Sequence, residues 1–309
     1  MRNVLRHQVP ANLIRPYIAL GVGTLALSFA AMYIRWAQAP GVVTGFYRLL
    51  LSTIILLPIL LARRRTGIQH RRWMDILPPA LSGMCMAANF ALWNTSLSYT
   101  TVANASILGN ISPLWVCTAA WLLFRERLNQ HFWLGLLTIF VGLVFITSGH
   151  SLSHPHLGLG DLMAAGASLF SAAYILITQW GRRRLNALTY VWINGASATV
   201  WTLAIALALK YPLAGFPAQT WMIFIVAAIT TQLVGYLAIS FSLGRLSASV
   251  VSPTLNLQPV LTILLAIPLL GESPTFLQTG GCVLALGGVY LINRSYQERT
   301  TPASPIDIE

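Results

Sequence analysis

Runs of about twenty apolar residues recur along the whole chain, separated by short links that hold nearly all of the charge. A helix needs about 20 apolar residues to cross the hydrocarbon core of a bilayer. The runs predict ten spanning helices, over residues 16–34, 42–62, 75–97, 101–124, 131–149, 158–179, 188–209, 219–241, 247–270 and 275–293. The third and fourth nearly fuse through the link at residues 98–101. The expected fold class is an all-α integral membrane protein. The first run starts near Pro16, lacks a small-residue cleavage pattern and is followed by further runs, so it reads as the first span and not as a signal peptide.

Composition agrees. Only 8% of the 309 residues are charged, against about 25% in soluble proteins. The net charge of +12 could suit nucleic acid, but its placement argues against that partner and for a lipid bilayer. Sixteen of the nineteen Lys and Arg residues fall on alternate links and the two chain ends: Arg2, Arg6 and Arg15, then Arg63–Arg65, Arg71 and Arg72, then Arg125 and Arg127, Arg182–Arg184, Arg245, Arg294 and Arg299. The opposite links hold only Arg35 and Lys210, and Arg48 lies within the second span. Positive charge stays on the cytoplasmic side. Both termini are therefore expected in the cytoplasm of a cell whose inner membrane holds the chain.

The two halves of the chain repeat each other. Asn110, Pro113, Glu126, Gly135 and Gly142 recur as Asn256, Pro259, Glu272, Gly281 and Gly288, all at an offset of 146 with no gap. Phe90, Ser96 and Leu97 correspond to Tyr236, Ser242 and Leu243 at the same offset. Five helices per copy is an odd number, so the second copy enters the membrane inverted. The charges follow: Arg125-Glu126-Arg127 on the cytoplasmic side becomes Gly271-Glu272-Ser273 outside. The expected organisation is a cytoplasmic segment 1–15, a first five-helix repeat 16–149, an external linker 150–157, an inverted repeat 158–295 and a cytoplasmic tail 296–309. Inverted repeats around a midplane site are a common plan of secondary transporters, since two halves can rock to expose the site alternately.

Phe46-Tyr47-Arg48-Leu49, Asn110-Ile111-Ser112-Pro113-Leu114 and Glu126-Arg127-Leu128 with Gly135 carry a resemblance to a known family. So do their second-copy counterparts Asn256-Leu257-Gln258-Pro259-Val260, Glu272 and Gly281. Over residues of about 15–295 the chain resembles the ten-helix, EamA type of the drug/metabolite transporter superfamily. That resemblance implies a secondary carrier, often an exporter of amino acids, related metabolites or drugs. It does not select a substrate.

Pro113 and Pro259 are expected to kink their helices, because proline removes an amide donor and disturbs the bond to the carbonyl four residues earlier. Those carbonyls belong to Gly109 and Leu255, and lipid offers them no partner. Asn110 and Asn256, one residue on, are placed to help satisfy them. The kinks either shape a central cavity or hinge, or are static bends. Asn89, Trp93, Asn110, Tyr174, Gln232, Tyr236 and Asn256 are the expected cavity lining, since polar groups inside a bilayer usually face the bundle interior. Arg48, about 9 Å deep at 1.5 Å per residue, has two readings. It could attract a substrate carboxylate or phosphate, or it could snorkel outward or hold neighbouring carbonyls.

Asp75, Glu126, Asp161 and Glu272 fall at expected helix ends and not at helix centres, where they would fix the ends and links. The small four-helix relatives implied by the resemblance use a central glutamate, and the first span here has no acid. Proton-coupled cation exchange is therefore disfavoured, and neutral, zwitterionic or anionic solutes fit better. The glycine pairs at heptad spacing, Gly135 with Gly142 and Gly281 with Gly288, are expected to let the fifth and tenth helices approach their neighbours. Trp36, Trp73, Trp133, Tyr211 and Trp221 read as an interfacial belt. His150, His154 and His156 cluster in one external link and could bind zinc or nickel, but no cysteine, and no acid except Asp161, stands beside them, so a metal site is not expected. Cys85, Cys117 and Cys282 all sit in apolar runs, so no disulfide framework is expected.

No cofactor is implied, and no G-x-x-x-x-G-K-[ST] phosphate loop marks an ATP-driven pump. A membrane-embedded enzyme would need a nucleophile and base at depth, and neither G-x-S-x-G nor H-E-x-x-H occurs. The alternatives to a carrier are a channel or a non-transporting sensor on the same fold. Two five-helix halves already enclose a path, so a monomer suffices for a small-molecule substrate.

Overall fold

The computed structural model describes residues 14–62, 73–124, 126, 128–147, 158–271 and 273–300. Ten helices within them are long and apolar enough to cross a membrane. They are α1 (Ile14–Ala37), α2 (Gly41–Ala62), α3 (Trp73–Ser96), α4 (Asn104–Leu122), α5 (Gln130–Thr147), α6 (Leu159–Gly181), α7 (Ala187–Ala208), α8 (Ala218–Leu243), α9 (Ala248–Leu269) and α10 (Phe276–Tyr296). Their limits lie within a few residues of those read from the apolar runs. No strand occurs among the described residues. The three histidines of the fifth link, and Glu272, lie outside the described residues.

The duplication is built into the packing. A Cβ added to Gly135 would lie 2.8 Å from the Gly288 carbonyl oxygen, and one on Gly142 would lie 2.6 Å from that of Gly281. Conversely, a Cβ on Gly288 would meet the Gly135 oxygen at 2.5 Å and one on Gly281 the Gly142 oxygen at 2.6 Å. The glycines thus let α5 and α10 touch backbone to backbone, and each helix serves as the neighbour expected for the other. Gly135 is equivalent to Gly281 and Gly142 to Gly288, so each contact is the copy of the other. A two-fold axis generates such self-complementary contacts. Residue numbers rise along α5 as they fall along α10, so the two helices run antiparallel, as an inverted repeat requires.

Both copies interrupt their fourth helix at the same place. In α4 regular helix stops at Gly109 and resumes at Ser112. In α9 it stops at Leu255 and resumes at Gln258. At each break the backbone tightens by one residue: Asn110 and Ile111 amides donate to the Ile107 and Leu108 carbonyls, and Asn256 and Leu257 amides to those of Pro253 and Thr254. Pro113 and Pro259 therefore sit in the first turn of a new helical segment rather than at a mid-helix kink. Their missing amide costs little there, because the first turn has no intrahelical acceptor.

One feature breaks the symmetry. Residues Ala228–Tyr236 of α8 form a π-helical stretch, whereas the matching part of α3 is a continuous α-helix. Widening a helix strands carbonyls of the preceding turn. The Thr230 and Thr231 hydroxyls donate to the Val226 and Ala227 carbonyls at 2.8 and 2.6 Å. The three cysteines are free and buried.

Candidate functional site

The two broken helices meet at the centre of the bundle. The Asn256 side-chain amide donates to the Asn110 backbone carbonyl at 3.0 Å, while the Asn110 amide turns back to the Ser106 carbonyl of its own helix at 2.7 Å. The expectation that each asparagine serves the carbonyl just before it is corrected. One bonds across the repeat boundary and the other within its own helix.

Around this junction lies a cavity of about 580 Å³, within the range of ligand-binding clefts. Residues from both breaks line it, Gly109, Asn110 and Ser112 from α4 and Leu255, Asn256 and Pro259 from α9. Asn89, Trp93, Tyr174 and Tyr236 also line it, as does Arg48. Six of the seven residues expected on the wall are therefore there. Gln232 is the exception. It is fully buried behind the wall, with its Nε2 4.0 Å from Met86 Sδ and its Oε1 without a partner. It lies inside the π-helical stretch, as does Tyr236, which does reach the wall. Pro113 also stays off the wall.

The wall residues are held from behind. Asn89 donates to the Ala167 carbonyl at 2.8 Å, tying α3 to α6. Gly109 leaves room for Trp93, whose ring atoms would lie 3.0 and 3.1 Å from an added Cβ. Tyr174 and Tyr236 cross edge to face with centroids 5.9 Å apart. Ser28, Asn94, Ser106, Ser171 and Thr262 also line the cavity. Nothing in the residue pattern marks the serines and the threonine, since small hydroxyl residues serve equally to bond helices together.

The cavity extends toward one end of the bundle only. Arg35, Gly41, Asn94, Thr147 and Gln278, from the same end of five helices, complete its wall. Toward the other end, Leu20, Leu243, Leu246 and Val251 are buried in one apolar cluster. Hydrogen bonds ring this plug: Ser242 Oγ to the Pro16 carbonyl (2.9 Å), Ser249 Oγ to Glu126 Oε2 (2.7 Å) and Ser295 Oγ to Asn129 Oδ1 (2.5 Å). Arg182 adds a bond from Nε to the Ser240 carbonyl at 2.8 Å and another to the Leu185 carbonyl. Burial, and then the nearby Arg245, lower the Arg182 pKa to about 10. It is still a cation at neutral pH.

Of the acids expected at helix ends, the described ones, Asp75, Glu126 and Asp161, lie there. Asp161 accepts from Thr100 Oγ1 at 2.6 Å and from the Gly158 amide at 3.0 Å, closing the first turn of α6. Asp75 pairs with Arg184 at 3.3 Å on the surface. Among the described residues no Asp or Glu lines the cavity, whose wall includes two arginines. Arg48 does not snorkel, as it is only 6% exposed. It donates no hydrogen bond to a described residue, and its Nε is buried without a partner. Its guanidinium carbon sits 4.8 Å from the Phe90 ring centroid.

Ten antiparallel-repeat helices around a chamber that reaches one membrane face define a polytopic membrane protein of the transporter type. The EamA-like transporter family matches residues 15–148 and again residues 158–294, and the chain belongs to that family. It is 26% identical over 252 residues to an uncharacterized transporter of Archaeoglobus fulgidus, covering 80% of this chain and 86% of that one. It is 28% identical to the uncharacterized inner membrane transporter YhbE of Escherichia coli, over 71% of this chain and 69% of YhbE. A probable terminal-alkyne amino-acid exporter of Streptantibioticus cattleyicolor is 23% identical over 82% of this chain and 84% of its own. A crystal structure with 16% sequence identity superposes with a TM-score of 0.77 over 93% of this chain and 99% of its own, which shows a shared fold.

Proposed function

We propose that this transporter is a secondary carrier that exports small organic metabolites, amino acids or related compounds, by alternating access around the central chamber. The observation that carries the reading is the one-sided cavity. It starts at the junction of two inverted repeats, opens toward the Arg35 end and is plugged at the Arg182 end. An inverted repeat supplies a second arrangement of similar energy in which the roles of the two ends exchange. The plug also argues against an open channel.

The basic residues assign the ends. Arg182–Arg184 and the other positive links belong to the cytoplasmic side, so both termini are cytoplasmic and the cavity faces outward here. The exporter of Streptantibioticus cattleyicolor, whose name specifies an amino acid, supports export and an amino-acid-like cargo. Nine of the ten helices line the chamber without help from a second chain, in keeping with a monomer.

Counterflow in proteoliposomes tests the carrier. Vesicles preloaded with the unlabelled cargo should take up labelled cargo faster than empty vesicles, and uptake should saturate. Uptake linear in concentration, with conductance far above carrier turnover, would identify a channel instead.

A further inference from the structure

We propose that Arg48 is the anion-recognition point of the chamber, and that the cargo presents a single carboxylate on a largely apolar body. This rests on reading the cavity as the substrate chamber, and it narrows the cargo to one chemical class.

A guanidinium removed from water loses strong hydration, and burial is tolerated where charge and hydrogen bonds replace it. Arg48 is buried to 6% exposure, with no carboxylate beside it in the wall and no hydrogen bond to a described residue. The face of Phe90 is its one ring contact, and a cation over a ring face replaces only part of the lost hydration. Neither structural role accounts for the side chain, because it neither reaches the membrane surface nor holds backbone carbonyls. It faces a cavity that a ligand can enter, and a ligand anion supplies both missing items.

Comparison of the repeats isolates the feature. The residue equivalent to Arg48 in the second copy is Asn194, at the same offset of 146. Asn194 is buried in a completed network: its amide donates to Ser82 Oγ at 2.8 Å, and Tyr190 donates to the same oxygen at 2.8 Å. The second copy thus spends this position on packing helices α3 and α7. The first copy holds a cation there, unsatisfied and facing the chamber. Phe90 borders Arg48 by its ring face, and its equivalent Tyr236 lines the same cavity.

The class of anion follows from the geometry. A planar guanidinium fork matches a carboxylate with two parallel hydrogen bonds. A phosphate dianion needs a second cation at the same place, but Arg35 belongs to the last turn of α1, at the cavity mouth. Phe90, Trp93, Tyr174 and Ile175 offer ring and aliphatic surface to the rest of the molecule.

The test uses three probes with one body and different heads: hydrocinnamate, hydrocinnamamide and phenylpropylammonium. Binding is measured by titration calorimetry on the purified full-length protein in nanodiscs. We expect hydrocinnamate to bind at least about tenfold tighter than the amide, as a charge-assisted pair implies, and the ammonium to bind weakest. R48Q should abolish the preference, and R48K should keep its sign while weakening it, because an ammonium lacks the fork. Equal or tighter binding of the amide or ammonium by the wild type would overturn the proposal, as would no binding of hydrocinnamate at millimolar concentration. So would a folded R48Q that keeps the preference. The wild-type series decides even if R48Q does not fold. A carboxylate preference without counterflow would remove the carrier reading and leave the anion site. Counterflow of a cargo without carboxylate preference would do the reverse.

Discussion

The Asn256 side-chain amide donates to the backbone carbonyl of Asn110, its own counterpart 146 residues earlier, at 3.0 Å. An in-plane two-fold axis brings equivalent residues together only where it passes between them. The breaks in α4 and α9 therefore meet on the axis, and so does the chamber built around them. Only one of the two possible cross-bonds is made, so the repeats are related but not identical in state. That inequality is what a carrier caught with one end open should show.

This asymmetry separates the two asparagines. Asn256→Ala leaves the Asn110 carbonyl unpaired near the bilayer centre and should cost about 1–3 kcal/mol. It should also slow transport, measured as initial counterflow rate. Asn110→Ala removes only a bond within its own helix and should cost less than about 1 kcal/mol. Thermal unfolding in one detergent would compare them. Equal losses would mean that the cross-repeat bond carries no special weight.

The glycine seam makes a sharper contrast. Gly142→Ala and Gly281→Ala each place a methyl group 2.6 Å from the opposing backbone oxygen, well inside contact distance. Because backbone must move, each should destabilise by about 1–3 kcal/mol. Gly280→Ala and Gly287→Ala, on the same helix with nothing within 4 Å, should be neutral. Unfolding temperature and detergent-stable yield would read both pairs.

Asp161 tests the structural role of the acids. Asp161→Ala removes the acceptor for both Thr100 and the Gly158 amide and should cost about 1 kcal/mol of helix-end stability. Asp161→Asn keeps one acceptor oxygen and should retain most of that stability. Neither change should alter the pH dependence of counterflow, since Asp161 caps a helix away from the chamber. A shifted pH profile in a stable variant would assign it to proton coupling instead.

Much of this architecture was legible because an offset of 146 survives without a gap. Asn110, Gly135 and Gly142 with their partners announce the duplication, and the apolar runs set the spans. The chamber wall was legible where side chains are large and polar, as with Asn89 and Asn256, because such groups have few places to go inside lipid. The prolines pointed to the breaks but not to their form, since Pro113 and Pro259 suit the first turn of a fresh segment as well as a kink. Gln232 was misplaced because its polarity alone put it inward, and a polar side chain buried between helices satisfies the same rule without reaching the chamber. The fate of Arg48 was open because burial and pairing depend on which helices close over it. Residue number alone gives only its depth.

The central claim is that one chamber faces each side of the membrane in turn. Ser171, midway along α6 on the chamber wall, offers the direct test. A Ser171→Cys variant lacking the three native cysteines is exposed to a membrane-impermeant thiol reagent, first in spheroplasts and then in inside-out vesicles. Labelling from both sides, blocked in both by excess cargo, is the predicted result. Labelling from one side alone under all conditions, with transport intact, would contradict the account.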